Sequence, residues 1–222
     1  MSQLVKIQSI KPLTHDVLQV VADRPSGLNY VAGQAVDVSV NKLNWENELR
    51  AFTFTSLPND NFIQFTMKTY PSHKGVTEQL RTLKTGDELI IGDVFGDINY
   101  KGEGIFIAGG AGITPFLAIL KDLEKKNAIG HNKMIFANKT KADIIEEEQL
   151  NKWLGNNLIN ILSDEKLEGY ENGYINADII KKAIDSNTKY FYLCGPDPMM
   201  AAVEKHLESL GIAKENIVRE AF

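Results

Sequence analysis

Four stretches of this chain combine residue types that handle phosphates, flat rings and polar ring atoms. The first is Arg50-Ala51-Phe52-Thr53-Phe54-Thr55-Ser56, the densest polar–aromatic alternation in the sequence. Read as a strand, it puts Arg50, Phe52 and Phe54 on one face and Ala51, Thr53 and Thr55 on the other. A guanidinium suits a phosphate, an aromatic face suits a flat heterocycle, and a hydroxyl can bond a ring nitrogen. An ordinary amphipathic barrel strand has the same pattern, so the alternation alone leaves both readings open. In the second stretch, Met67-Lys68-Thr69-Tyr70 closes a strand and Gly75-Val76-Thr77-Glu78 opens a helix. The start of that helix, with Gly75 and Thr77, offers an anion site.

The third stretch is Gly109-Gly110-Ala111-Gly112-Ile113-Thr114-Pro115, placed between a strand-like run and a helix-like one. Glycines let a backbone turn sharply and approach a pyrophosphate closely, and the helix start supplies free N–H groups. Pro115 suits the first helical position, and Thr114 can cap the helix or bond a phosphate. The spacing departs from Gly-x-Gly-x-x-Gly, because Pro115 stands where the third glycine would fall. A tight strand–helix turn in any α/β domain is the competing reading. In the fourth, Cys194-Gly195-Pro196-Asp197-Pro198-Met199 follows another strand-like run. Ligands bind outside the carboxyl ends of parallel strands, so both loops are expected on one edge with Cys194 facing the cleft. A buried packing cysteine is the alternative.

The elements that must position these residues fall into two rhythms. Residues 4–10, 17–22, 34–40, 51–56, 62–69 and 88–94 read as short strands, with one helical stretch at 76–83. Six short strands in about 100 residues suggest an antiparallel barrel, which removes exposed sheet edges. Beyond them, strand-like runs at 104–108, 133–137, 160–162, 190–193 and 217–219 alternate with helical spacing at 114–126, 146–154, 177–184 and 198–210. Alternation of that kind implies a parallel sheet with right-handed crossovers. The break falls at the polar linker Tyr100-Lys101-Gly102-Glu103-Gly104. Two domains are expected, a β-barrel over 1–101 and an α/β domain over 102–222.

Composition narrows the function. At 222 residues, 43% hydrophobic and 24% charged, the chain has enough apolar surface to fold. A net charge of −5 with no basic run argues against nucleic acid. No apolar run is long enough for a membrane span, and the N-terminal residues lack the sections of a signal peptide. The single cysteine excludes an internal disulfide and a four-cysteine cluster. A cytoplasmic protein is expected. His15, His73, His131 and His206 are scattered, so no metal site is expected.

Taken together and in this order, Arg50-Ala51-Phe52-Thr53, Gly75-Val76-Thr77, the 109–115 loop, Cys194-Gly195-Pro196 and the terminal Glu220-Ala221-Phe222 resemble the ferredoxin–NADP reductase family. Small bacterial flavodoxin/ferredoxin reductases are the members it looks most like. The resemblance covers nearly the whole chain. It implies an FAD-binding barrel followed by an NAD(P)-binding domain. Arg50 would then pair with the FAD pyrophosphate, Phe52 would lie against the isoalloxazine, and Thr53 would reach the flavin N5. Many relatives carry Tyr where Phe52 stands, so the stacking face is kept and a hydroxyl is lost. Met67, Lys68 and Thr69 would line the flavin edge, partly through backbone groups, while Gly75, Val76 and Thr77 hold the pyrophosphate. Gly110, Gly112 and Thr114, with Asn138, Lys139, Gly195, Asp197 and Met199, would hold the nicotinamide nucleotide. Cys194 and Glu220 would orient nicotinamide at the flavin, and Phe222 would stack on the flavin where relatives of the plant type end in Tyr.

The resemblance implies an oxidoreductase that takes a hydride from NADPH or NADH onto FAD and passes electrons to flavodoxin or ferredoxin. Such acceptors are acidic, and Lys68, Lys74 and Arg81 are candidates for a basic rim. Lys139, Thr140 and Lys141 lean towards the 2′-phosphate of NADPH, although Phe136-Ala137-Asn138-Lys139-Thr140 also looks like NADH-using cytochrome b5 reductases. A monomer is expected. The competing readings are a flavin reductase, an oxygenase reductase component with a separate acceptor, and a non-catalytic flavin- or nucleotide-binding redox sensor.

Overall fold

Alternating burial builds much of the first half. Its strands are β1 (Gln3–Pro12), β2 (Val17–Asp23), β3 (Ala35–Val40), β4 (Arg50–Thr53), β5 (Phe62–Lys68) and β6 (Glu88–Phe95). The computed structural model describes residues 2–70 and 75–220. These six strands pair antiparallel in the order β4-β3-β6-β1-β2-β5. A bridge between Phe54 and Phe65 draws the two end strands together, so the barrel is nearly closed. Its interior is filled by fully buried Val20, Val36, Val38, Ile63, Phe65, Met67, Leu89 and Ile91. Phe54 joins them, stacked on Tyr30 with ring centroids 4.1 Å apart. The short helix α1 (Val76–Gln79) runs on into a tight 3₁₀ turn, Leu80–Thr82. Val76 and Leu80, one turn apart, are buried in the same core.

The second half is a parallel sheet of β7 (Gly104–Gly109), β8 (Lys133–Asn138), β9 (Leu158–Leu162), β10 (Glu171–Asn172), β11 (Tyr190–Cys194) and β12 (Ile217–Val218). The order is β10-β9-β8-β7-β11-β12. β7 shows why both faces need cover: Phe106 and Ala108 enter one core, Ile105 and Ile107 another. Helices α2 (Thr114–Lys125) and α3 (Glu147–Leu154) bury residues in the first core. Helices α4 (Ala177–Ala183) and α5 (Asp197–Ser209) do so in the second. Both faces being covered is the rule for parallel sheets. Val17 and Ile98, from the barrel side, enter the α2–α3 core, so the two halves share apolar packing.

The expected architecture is the observed one: an antiparallel six-stranded barrel followed by an α/β parallel sheet. β10 was not anticipated, because its two residues are exposed and polar. The chain leaves β7 for β8 on one side and later returns to pair β11 on the other. A crevice opens at the carboxyl ends of such a strand pair. Among the described residues no helix is long and apolar enough to cross a membrane.

Candidate functional site

The barrel's half of the site comes from β4 and its neighbours. Arg50 is exposed, and its guanidinium donates to the Leu49 carbonyl at 2.6 Å. Phe52 is half-buried, with one side of its ring against the barrel core. Arg50, Phe52 and Thr53 line a cavity of about 260 Å³ with Lys68 and Thr77, and with Ala111 and Thr114 of the glycine loop. A cation, an aromatic face and hydroxyls therefore meet at the junction of the two halves. That donor set fits a flavin dinucleotide: a phosphate partner, a stacking face and groups for polar ring atoms.

The other barrel-side residues divide. Lys68 lines the cavity, but its ammonium is paired with Asp16 at 2.9 Å. Met67 is fully buried in the barrel core, and the Thr69 hydroxyl donates to the Asp16 carbonyl at 2.9 Å. The Thr69 backbone N–H donates to the same carbonyl at 2.7 Å, and neither Met67 nor Thr69 lines the cavity. Val76 is buried in the core, while Gly75 caps α1 in an extended conformation. Tyr70, 43% exposed, also lines the cavity. Its place two residues beyond Lys68 on the same alternation is the signal for it in the sequence. Lys74 and Phe222 lie outside the described residues. Arg81 is exposed beyond α1.

The two loops of the parallel sheet interlock. A Cβ at Gly112 would lie 2.3 Å from the Cys194 carbonyl oxygen, and one at Gly109 would lie 2.4 Å from Met199 Sδ. One at Gly195 would meet Met199 Cε at 2.5 Å. These three glycines serve loop-to-loop approach, a role the motif reading did not separate from ligand approach. Gly110 differs, with φ +51° and nothing within 4 Å of a Cβ. Met199 packs beneath both loops, and Asp197 is exposed at the first position of α5. The Thr114 hydroxyl does not cap α2. It donates to the Ala111 carbonyl at 3.1 Å and closes the turn before the helix.

Cys194 ends β11 half-buried. Burial, reinforced by the Glu220 carboxylate, pushes its thiol up to about 12. The group is therefore a neutral thiol at physiological pH, not a nucleophile. We expect slow alkylation of the native protein by iodoacetamide at about pH 8, against rapid alkylation of the unfolded chain. Alkylation equally fast in both states would show the thiol to be ionised and open. Cys194→Ser is expected to lower hydride transfer more than FAD content, and equal activity would leave the residue a packing role only. Glu220 makes a structural bond: its Oε2 accepts from the Asp97 backbone N–H at 2.9 Å. That bond ties the end of the described chain to the loop after β6.

At the carboxyl end of β8, Asn138 is buried, with neither its side-chain nitrogen nor its side-chain oxygen bonded among the described residues. Such a group at a sheet's ligand edge is a fitting partner for a nucleotide. Lys139 beside it is exposed. A neighbouring cavity is lined by Thr140, Lys141, Ala142, Asp164 and Glu165. Glu165 accepts from the Lys141 backbone N–H at 2.7 Å, and Asp164 accepts from Ser163 at 2.6 Å. The Lys141 ammonium lies over the Tyr170 ring, 5.6 Å from its centre. These two carboxylates were missed because they follow β9, far from the lysines in sequence.

The histidines are not all isolated. His15 Nε2 lies 3.8 Å from Asp16 and 3.7 Å from Asp143. Lys68 pairs with the same Asp16 oxygen at 2.9 Å, and the His15–Asp143 contact sets a barrel-side side chain against the parallel-sheet half.

Comparison with known proteins bears on the whole chain. An FAD-binding domain family matches residues 2–94, and an oxidoreductase NAD-binding domain family matches residues 106–205. NADH-cytochrome b5 reductase 1 of Mortierella alpina is 31% identical over 86% of this chain and 68% of its own length. The chain belongs to the ferredoxin–NADP reductase-like family. The reductase component of propane 2-monooxygenase from Rhodococcus jostii is 25% identical over 98% of this chain and 62% of its own. The chain spans about three fifths of the length of several curated relatives it matches. In structure it superposes on the flavohem-like FAD/NAD-binding domain of nitric oxide dioxygenase from Vibrio cholerae with a TM-score of 0.86. That likeness covers 99% of this chain and 98% of the other at 22% identity. FAD-binding and NAD-binding domains are thus both present in this family member.

Proposed function

We propose that this protein moves a hydride from a nicotinamide dinucleotide to FAD and hands the electrons to a carrier protein, flavodoxin or ferredoxin. One observation carries the reading: the cavity in which Arg50, Phe52, Thr53 and Thr77 face Ala111 and Thr114 across the junction of the two halves. FAD supplies the redox chemistry when bound, and the protein binds and orients. Arg50 and the backbone of 75–77 hold the pyrophosphate, Phe52 packs on the flavin ring, and the Thr53 hydroxyl bonds at N5. Backbone groups of 67–69 line the ring edge. Gly110, Gly112, Thr114, Cys194, Gly195, Asp197 and Met199 frame the donor's nicotinamide half, and Asn138 and Lys139 its adenosine half. The functional division falls between residues 101 and 102.

The donor is NADH rather than the NADPH to which the three basic and hydroxyl residues lean. Asp164 and Glu165 line the cavity beside Thr140 and Lys141. A carboxylate accepts from a free ribose diol and repels a 2′-phosphate. Among the described residues Lys141 is the one cation lining that cavity. We expect kcat/KM for NADH to exceed that for NADPH by about tenfold or more, and Asp164→Ser with Glu165→Arg to reverse the order. A wild-type preference for NADPH would sink this donor assignment.

The experiment for the whole reading is an anaerobic absorbance spectrum of the FAD-supplemented protein, before and after each nucleotide, followed by mixing with oxidised flavodoxin or ferredoxin. Bleaching by one nucleotide and recovery on adding the carrier is the expected result. Bound flavin that neither nucleotide bleaches would favour a sensor instead.

A further inference from the structure

The segment between the barrel and the parallel sheet is held by two buried polar side chains that the proposed chemistry does not use. Tyr192, on β11, is fully buried. Its hydroxyl accepts from the backbone N–H groups of Lys101 at 2.9 Å and Gly102 at 3.0 Å, and donates to the Gly102 carbonyl at 2.6 Å. One donated and two accepted bonds exhaust a hydroxyl. Asn132, also fully buried, stands just before β8. Its oxygen accepts from the Gly104 N–H at 3.0 Å, and its nitrogen donates to the Tyr100 hydroxyl at 2.9 Å and the Ile129 carbonyl at 2.8 Å.

The backbone is fitted to this grip. Gly102 has φ +146°, and a Cβ there would lie 3.0 Å from the Tyr190 ring. A Cβ at Gly104 would lie 1.9 Å from the Tyr190 carbonyl oxygen. The Tyr192 ring stacks on Phe106 and Tyr100, with centroids 4.5 Å and 6.0 Å apart. Linkers between domains are ordinarily exposed and loosely held; this one has its backbone groups bonded to side chains buried inside the second half.

β11 connects the grip to the cleft. Tyr192 and Cys194 are two residues apart on one strand and share a face, and both pack in the cluster that receives Ile98 from the barrel side. The strand that holds the linker is the strand that delivers Cys194 and Gly195 to the crevice. We infer that Tyr192 is a positioning residue: through Lys101 and Gly102 it fixes how the barrel stands relative to the carboxyl end of β11, and so the approach of donor to flavin. The inference rests on the hydride-transfer reading above.

The test uses the full chain loaded with FAD. Tyr192→Phe keeps the ring and its stacking while leaving two N–H groups and one carbonyl unpartnered. The rate constant for flavin reduction by NADH is expected to fall on the order of tenfold, because small misplacements of reacting groups are costly. FAD content and NADH affinity are expected to stay within about twofold, the mark of lost positioning rather than lost binding. Amide exchange at Lys101 and Gly102 is expected to accelerate. Leu123→Ala removes a buried side chain from the same cluster that makes none of these linker hydrogen bonds, and is expected to lower the melting temperature without slowing reduction. An unchanged rate in Tyr192→Phe, or an equal fall in Leu123→Ala, overturns the inference. Should Tyr192→Phe not fold, Gly102→Ala, which presses on the Tyr190 ring, takes its place with the same two outcomes. Wild-type flavin that no nicotinamide nucleotide reduces would defeat the functional reading instead, and the exchange rates would still report whether Tyr192 holds the linker.

Discussion

Arg50→Ala is expected to weaken FAD binding by roughly 30- to 150-fold, the equivalent of about 2–3 kcal/mol for charge-assisted bonds to a phosphate. Arg50 is exposed, and among the described residues its guanidinium bonds only the adjacent Leu49 carbonyl. Nothing in the fold needs it, so the stability of the FAD-free protein should move by no more than about 0.5 kcal/mol. The FAD-loaded protein should lose thermal stability, because a ligand stabilises only as far as it binds. Arg50→Lys keeps the charge and loses the planar fork, and an intermediate loss of about tenfold is expected. Fluorescence titration of the FAD-free protein with FAD reads the affinities, and differential scanning calorimetry with and without FAD reads the rest. Unchanged affinity in Arg50→Ala would remove the pyrophosphate from this side of the cavity and displace Phe52 and Thr53 from their assigned roles with it.

Much of this site was legible because the fold writes its periodicity into the sequence. β1, β2, β5 and β6 bury every second side chain over part of their length, so a period of two located them within a few residues, whereas β3 is buried almost throughout and β4 not at all. β7 and β11 are continuous apolar runs because both their faces are covered, and the loops after them could be placed on one edge. What stayed hidden depends on contacts between distant segments. Phe54 reads as part of a ligand-facing face, yet Tyr30 draws it into the barrel core at 4.1 Å. Lys68 reads as a free rim cation, yet Asp16, more than fifty residues earlier, neutralises it. Asp164 and Glu165 belong to the same cavity as Lys141 only because β8 and β9 are neighbours. Tyr192 looks like one more apolar residue in a buried strand, and only the path of the linker gives its hydroxyl a purpose.

The glycine loop is where sequence and structure part most usefully, since adjacent glycines have different jobs. A Cβ at Gly112 would lie 2.3 Å from the Cys194 oxygen, 2.5 Å from its carbonyl carbon and 2.7 Å from Gly195 Cα. All three are backbone atoms, so no side-chain rotation relieves the clash. Gly112→Ala must push the two loops apart, and overpacking of this kind costs about 3 kcal/mol, or roughly 6–12 °C in melting temperature for a chain of this size. Donor binding is expected to fall with it, because the crevice lies between the same two loops. Gly110→Ala meets nothing within 4 Å and carries only the strain of φ +51°, about 1–2 kcal/mol. On the proposed function its methyl group would enter the space assigned to the donor's phosphates. Gly110→Ala should therefore retain most of its stability and still bind NADH at least tenfold more weakly, about 1.4 kcal/mol, as read by titration. Normal NADH affinity in Gly110→Ala would mean that the loop's glycines exist for packing alone, and the donor's phosphates would have to be sought along β8, beside the unpartnered amide of Asn138.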